Sequence, residues 1–168
     1  MPDSGERITN PITGERIVFQ RTTDETGGEC LLMDVELRPG GIIAGAPHRH
    51  PFEERFHVTD GRLVGWIAGE GTFSHIAGDK FVVPADTDHL VMNGAAALSR
   101  AQVEARPGKD FDRLLEVAFA FSSGRLSLGR KLAGLMLTQG VRVAVIPSAV
   151  QEKLLAAASS GNPRATAA

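Results

Sequence analysis

Between about Arg16 and Glu104, apolar and polar residues alternate in short runs broken by turn residues, a pattern that predicts a β-sandwich or barrel. In the clearest run Leu31, Met33, Val35 and Leu37 are apolar while Asp34, Glu36 and Arg38 are charged. Side chains alternate across a strand, so this segment buries one face. Pro39-Gly40-Gly41 ends it. Asp60-Gly61 joins the run ending at Val58 to the one starting at Leu63 and reads as a hairpin turn. Further strands are predicted over 63–68, 80–83, 89–93 and 98–104.

After Arg106-Pro107-Gly108 the period changes. Phe111, Leu114, Leu115, Ala118 and Phe119 fall on one face of a helix, with Asp110 placed as its N-cap. A second helix is predicted around 126–137 and a third around 150–157, with Ser148 nearby as a cap. These helices are expected to cover the barrel or to pair two copies of it. The run SSGNPRATAA at the end is polar and small and is expected to be disordered. The organisation expected is one domain over 1–168: a barrel over 10–107, a helical extension over 108–160 and a tail over 161–168.

Composition narrows the partners. The net charge of -2, with both signs scattered, offers no basic face to neutralise a phosphate backbone, so nucleic acid is not an expected partner. No apolar run approaches the roughly 20 residues that span a bilayer, and the first ten residues are polar, so the expectation is a cytoplasmic protein without membrane contact. Cys30 has no second cysteine to pair with, which agrees with a reducing compartment. Its expected role is packing at the start of a strand.

The candidate chemistry is a metal site. Residues two apart on a strand face the same way, about 6.6 Å apart, so His48 and His50 can present both imidazoles to one ion. In the strand after Pro51-Phe52, the odd positions Glu53, Arg55, His57 and Thr59 are polar, whereas Glu54 shares the even positions with Phe56 and Val58. The even face is the buried one. Glu54 is therefore a carboxylate aimed into an apolar interior beside two histidines, and such a charge costs several kcal/mol unless a cation compensates it. Face alternation excludes His57 and disfavours Glu53. Of the remaining histidines, His75 follows a glycine-rich turn and is expected to be exposed. His89 opens a strand after the turn-rich Pro84-Ala85-Asp86-Thr87-Asp88 and is the fourth candidate ligand.

Taken together these residues resemble the cupin family of small double-stranded β-helix barrels. One family motif stands as Gly41, His48, His50, Glu54 and Gly61, with six residues rather than five between Gly41 and His48. The other stands as Gly78, Pro84, His89 and Asn93, with Asp86 where the family has glycine. Aspartate tolerates a left-handed turn, so the turn is expected to survive. The resemblance covers roughly 10–107. It implies an all-β fold, a jelly-roll or cupin barrel, here with a C-terminal helical extension. The family is chemically diverse and includes dioxygenases, isomerases, epimerases, cyclases, decarboxylases, storage proteins and sensing domains, so the fold does not name the reaction.

Three imidazoles and one carboxylate suit one divalent transition metal ion, whether Fe, Mn, Ni, Co, Cu or Zn. Four protein ligands leave two octahedral positions open, and a divalent ion so held keeps a net charge of about +1. It should take an anionic, oxygen-bearing small molecule. The expected function is a metal-dependent enzyme of dioxygenase or isomerase/cyclase type, working as a homodimer; the alternative is a non-catalytic binding or sensing module. Met33, Phe56 and Trp66 are candidates for the pocket wall and Asn93 for an outer partner of the centre.

Overall fold

The computed structural model of this chain describes residues 2–122, 140–144 and 147–160. Two antiparallel sheets face one another. The first has the order β1-β2-β3-β10-β5-β8, built from β1 (Arg7–Asn10), β2 (Glu15–Arg21), β3 (Leu31–Leu37), β10 (Ser99–Arg106), β5 (Glu53–Asp60) and β8 (Lys80–Val83). The second runs β11-β4-β9-β6-β7, from β11 (Arg142–Val143), β4 (His48–Arg49), β9 (His89–Asn93), β6 (Arg62–Ile67) and β7 (Gly71–Ile76). This is an all-β jelly roll of the double-stranded β-helix kind. Helices α1 (Phe111–Ser122) and α2 (Ser148–Ser160) form its C-terminal extension.

Alternation set the faces as the sequence predicts. In β3, Leu31, Met33, Val35 and Leu37 are buried, and in β5 Glu54, Phe56 and Val58 are buried while Arg55 and Thr59 are exposed. The central strand β10 pairs with both, setting Ala105 against Leu31 on one side and Glu54 on the other. Ile17, Phe19, Leu31, Met33, Phe56, Ile67, Val83, Val91 and Val103 fill the interior between the sheets. The turn at Gly61 is present, with the positive φ of 73° that a glycine accepts readily, but it closes no hairpin: β5 pairs with β10 and β8 and β6 with β7 and β9, so the turn carries the chain from one sheet to the other. Asp86 has a φ of 56°, so aspartate holds the left-handed turn.

Three strands escaped the pattern. β1 and β11 have four and two residues, too short to show a period. β7 carries half-buried residues on both faces rather than an alternating set. Its presence corrects one expectation: His75 lies on β7, stacked on Phe81 at 4.5 Å with the rings 7° from parallel, and is half-buried rather than exposed.

Helix α1 begins directly after Asp110. Its first turn is pinned by buried Asp112, whose carboxylate accepts hydrogen bonds from Thr23 N (2.9 Å) and Thr23 Oγ1 (2.8 Å) in the β2–β3 connection. Phe111, Leu114 and Phe119 join the barrel core, so this helix covers the barrel. Helix α2 lies on the outside of the second sheet, where Leu154 and Val150 pack against Trp66 and Leu90. The helix predicted at 126–137 and the tail at 161–168 lie outside the described residues. Among the described residues no helix is long and apolar enough to cross a membrane.

Candidate metal centre

His48 is delivered by β4, His50 by the extended residue just after it, Glu54 by β5 and His89 by the first position of β9. His48 and His89 are register partners across the β4–β9 pair. The three imidazoles converge, with one ring nitrogen from each lying within 4.8 Å of the others. Glu54 Oε2 lies 3.4 Å from His50 Nε2 and 3.9 Å from His89 Nε2. His50, Glu54 and His89 are 1%, 3% and 0% exposed and His48 is 7%, so only the His48 side retains appreciable contact with solvent.

Main-chain carbonyls set the tautomers. His48 Nδ1 lies 3.0 Å from Ala46 O, His50 Nδ1 2.7 Å from Phe52 O and His89 Nδ1 2.8 Å from Thr87 O. A carbonyl oxygen only accepts, so each Nδ1 carries the proton and donates it, leaving Nε2 as a lone pair. Nε2 of His50, Nε2 of His89 and Oε2 of Glu54 are buried without a hydrogen-bond partner. Lone pairs and a carboxylate gathered this closely repel one another and have lost their water. A proton shared between His50 and Glu54 relieves one pair and leaves His89 unpartnered. A divalent cation satisfies every one of these atoms, so the donor set fits a metal ion.

In the absence of a bound ion, burial and the Glu54 carboxylate set how these groups titrate. Burial pushes the His48 imidazole down to about 4, helped by the neighbouring His89. Burial also lowers His89, against the pull of Glu54. For His50 burial works in the same direction, but the field and hydrogen-bonding capacity of Glu54 outweigh it and the result is raised. Burial alone would raise Glu54, yet the three histidines, His50 foremost, hold it at about 2.

The other sequence candidates divide. Met33 and Phe56 belong to the interior core, on the same sheet as Glu54. Trp66 does not: it packs with Leu90 and Leu154 under α2, on the outside of the second sheet, which corrects its assignment to the pocket wall. Its neighbours Leu63 and Ile67 are the inward residues of β6. Asn93 is fully occupied elsewhere. Its Nδ2 donates to Leu37 O (2.9 Å) and Ala97 O (2.8 Å), and its Oδ1 accepts from Ala95 N (2.7 Å) and Ser99 Oγ (2.7 Å). It ties the turn after β9 to β3 and makes no contact with the histidines. His57 lies on the outer face of β5 and His75 on β7, both away from the centre.

Two features of the site were missed. Phe52 stacks face to face on His50, with centroids 3.9 Å apart and planes 3° from parallel, and Phe111 of α1 packs behind it at 4.4 Å. Phe111 was the first residue of the helical stripe, so the helix was legible and its target was not. Glu15 is the second. It is 2% exposed, and its Oε2 accepts hydrogen bonds from Thr13 Oγ1 (3.0 Å) and from Ala44 N (3.0 Å), in the 3-10 turn Ile43–Gly45 that leads to His48. Burial raises it from 4.5 to about 7. The signal was present: Glu15 shares odd positions with Ile17 and Phe19, as Glu54 shares even positions with Phe56.

Residues 33–98 match the family model described as Cupin domain. No curated protein matches the chain. Among solved structures, a sugar phosphate isomerase from a cupin superfamily of Silicibacter pomeroyi is 25% identical with a TM-score of 0.51, over 61% of this chain and 71% of that one. KdgF from a Halomonas species is 20% identical at a TM-score of 0.53, covering 64% and 93%. The polyketide cyclase RemF from Streptomyces resistomycificus is 19% identical at 0.52, covering 61% and 73%. The last two likenesses speak to the fold alone.

Proposed function

The chain belongs to the cupin superfamily, through its domain at residues 33–98, and from that premise we propose that it is a metal-dependent enzyme acting on a small oxygenated substrate, of the isomerase or cyclase type. The single observation that carries this reading is the convergence of buried, unpartnered acceptors: Nε2 of His50 and His89 with Oε2 of Glu54, beside His48. Held there, a divalent ion supplies Lewis acidity and a residual charge of about +1, which favours an enolate, phenolate or carboxylate oxygen.

The chain's own residues do the rest. The three Nδ1–H···O=C bonds orient the imidazoles before anything binds, which lessens the reorganisation needed on metal uptake. Phe52 fixes the plane of His50 from behind. Burial removes water from three of the four ligand side chains and strengthens every electrostatic contact made there. The interior beside the centre is apolar, packed with Met33, Phe56, Val91 and Val103. A sugar phosphate isomerase on the same fold, 25% identical, supports the isomerase reading.

Elemental analysis of the purified protein tests the centre. His50→Ala and Glu54→Ala are each expected to abolish stoichiometric metal, and His57→Ala and His75→Ala to leave it intact. Full occupancy in the Glu54 variant refutes the ligand set. For the reaction, metal-loaded protein is offered a panel of hydroxyketones and dicarbonyl compounds. Isomerised or cyclised product supports the proposal, O2 consumption points to a dioxygenase, and a raised melting temperature without turnover points to a binding module.

A further inference from the structure

The strand that carries His48 is held on one side by a single register pair, His48 with His89. A two-residue strand so held is weakly determined, because few main-chain hydrogen bonds fix it. Its other side is occupied by a segment from far along the chain, outside the matched domain. β11 pairs Val143 with His48 and Arg142 with Arg49. Ala144 N donates to Pro47 O at 2.8 Å. Gly140 lies against Pro51: a Cβ placed on it would stand 3.1 Å from Pro51 Cγ and 3.2 Å from Cδ. Val141, 8% exposed, is sunk into the barrel core and anchors the segment.

Residues 140–144 thus follow 47–51 almost residue by residue, along the part of the chain that supplies two of the four candidate ligands. The same segment borders His48, the most exposed of the four. We propose that residues 140–144 form a strap that clamps the His48–His50 segment in ligating geometry and sets the rate at which the metal ion enters and leaves. The proposal rests on the reading of the centre as a metal site. The strap is a positioning element, because none of its residues has a donor atom at the centre.

Two variants loosen it from different ends. Ala144→Pro removes the N–H that bonds Pro47 O, and the residue before it is already extended, as proline requires. Gly140→Ala forces a Cβ towards the Pro51 ring in a backbone whose φ is 72°. Leu154→Ala is the control, since it weakens the packing of α2 on Trp66 without touching β4 or β11. Each protein is loaded with Zn(II), mixed with excess chromogenic chelator, and followed for the rate of Zn(II) release; melting of the metal-free protein is measured alongside.

Ala144→Pro and Gly140→Ala are expected to release Zn(II) about tenfold faster than wild type, the factor that goes with losing one well-formed interaction. Leu154→Ala is expected to melt lower with an unchanged release rate. Release at the wild-type rate in both strap variants overturns the proposal, as does equal acceleration in Leu154→Ala. Wild-type protein that takes up no stoichiometric Zn(II) refutes the metal centre itself, and the strap with it.

Discussion

Replacing Glu15 by glutamine is expected to make the protein more stable, and increasingly so as the pH rises. Glu15 is buried against Thr13 and the Ala44 amide, and burial moves its ionisation from 4.5 to about 7. The folded state therefore prefers the neutral carboxyl. Its stabilising contribution is complete below the unfolded value of 4.5 and is lost as the pH passes through about 7. A tenfold change in acid dissociation corresponds to about 1.4 kcal/mol, so the move from 4.5 to 7 amounts to about 3 kcal/mol. Glu15→Gln keeps an oxygen for Ala44 N and Thr13 Oγ1 and has nothing to ionise. Urea unfolding of both proteins at intervals from pH 4.5 to 8.5 isolates this group, since every other titration cancels in the difference. The glutamine variant should gain about 3 kcal/mol on wild type across that span, or about 1–2 M in urea midpoint. A difference that stays flat with pH, or that favours wild type at pH 8.5, refutes the reasoning.

Three further outcomes follow from contacts described above. Gly65→Ala places a Cβ 2.0 Å from Leu90 O and 2.5 Å from the Phe73 ring; because one obstacle is main chain, β6 and β9 must part, and a loss of about 3 kcal/mol is expected by chemical denaturation. Phe52→Ala removes the plate between His50 and Phe111. It should cost about 3–5 kcal/mol and also weaken metal affinity measured by calorimetry, whereas an unchanged affinity would show that His50 needs no backing. Trp66→Ala should lower the melting temperature by freeing α2 yet leave metal stoichiometry at the wild-type value, because the indole lies outside the barrel.

Much of this architecture was readable because alternation is a local property. The inward turn of Glu54 follows from Phe56 and Val58 beside it, and the strand limits at Leu31–Leu37, Lys80–Val83 and His89–Asn93 follow from their own residues. What could not be read is relational. Trp66 lies on a strand whose two faces are both covered, one by the core and one by α2, so all six of its residues are buried and the pattern hardly separates inside from outside. Asn93 sits at the expected motif spacing, but its partners come from three separate segments. The strap is two residues of strand, too short for any period, and its pairing with β4 spans almost a hundred residues of chain.

The hydrogen bonds made by the three imidazoles have an evolutionary consequence. Each ring takes its proton position from a carbonyl only two residues away: Ala46 for His48, Phe52 for His50, Thr87 for His89. Those oxygens belong to the main chain, which no amino-acid replacement deletes. Other side chains around the centre can therefore change while the tautomers of the three donors are inherited unchanged.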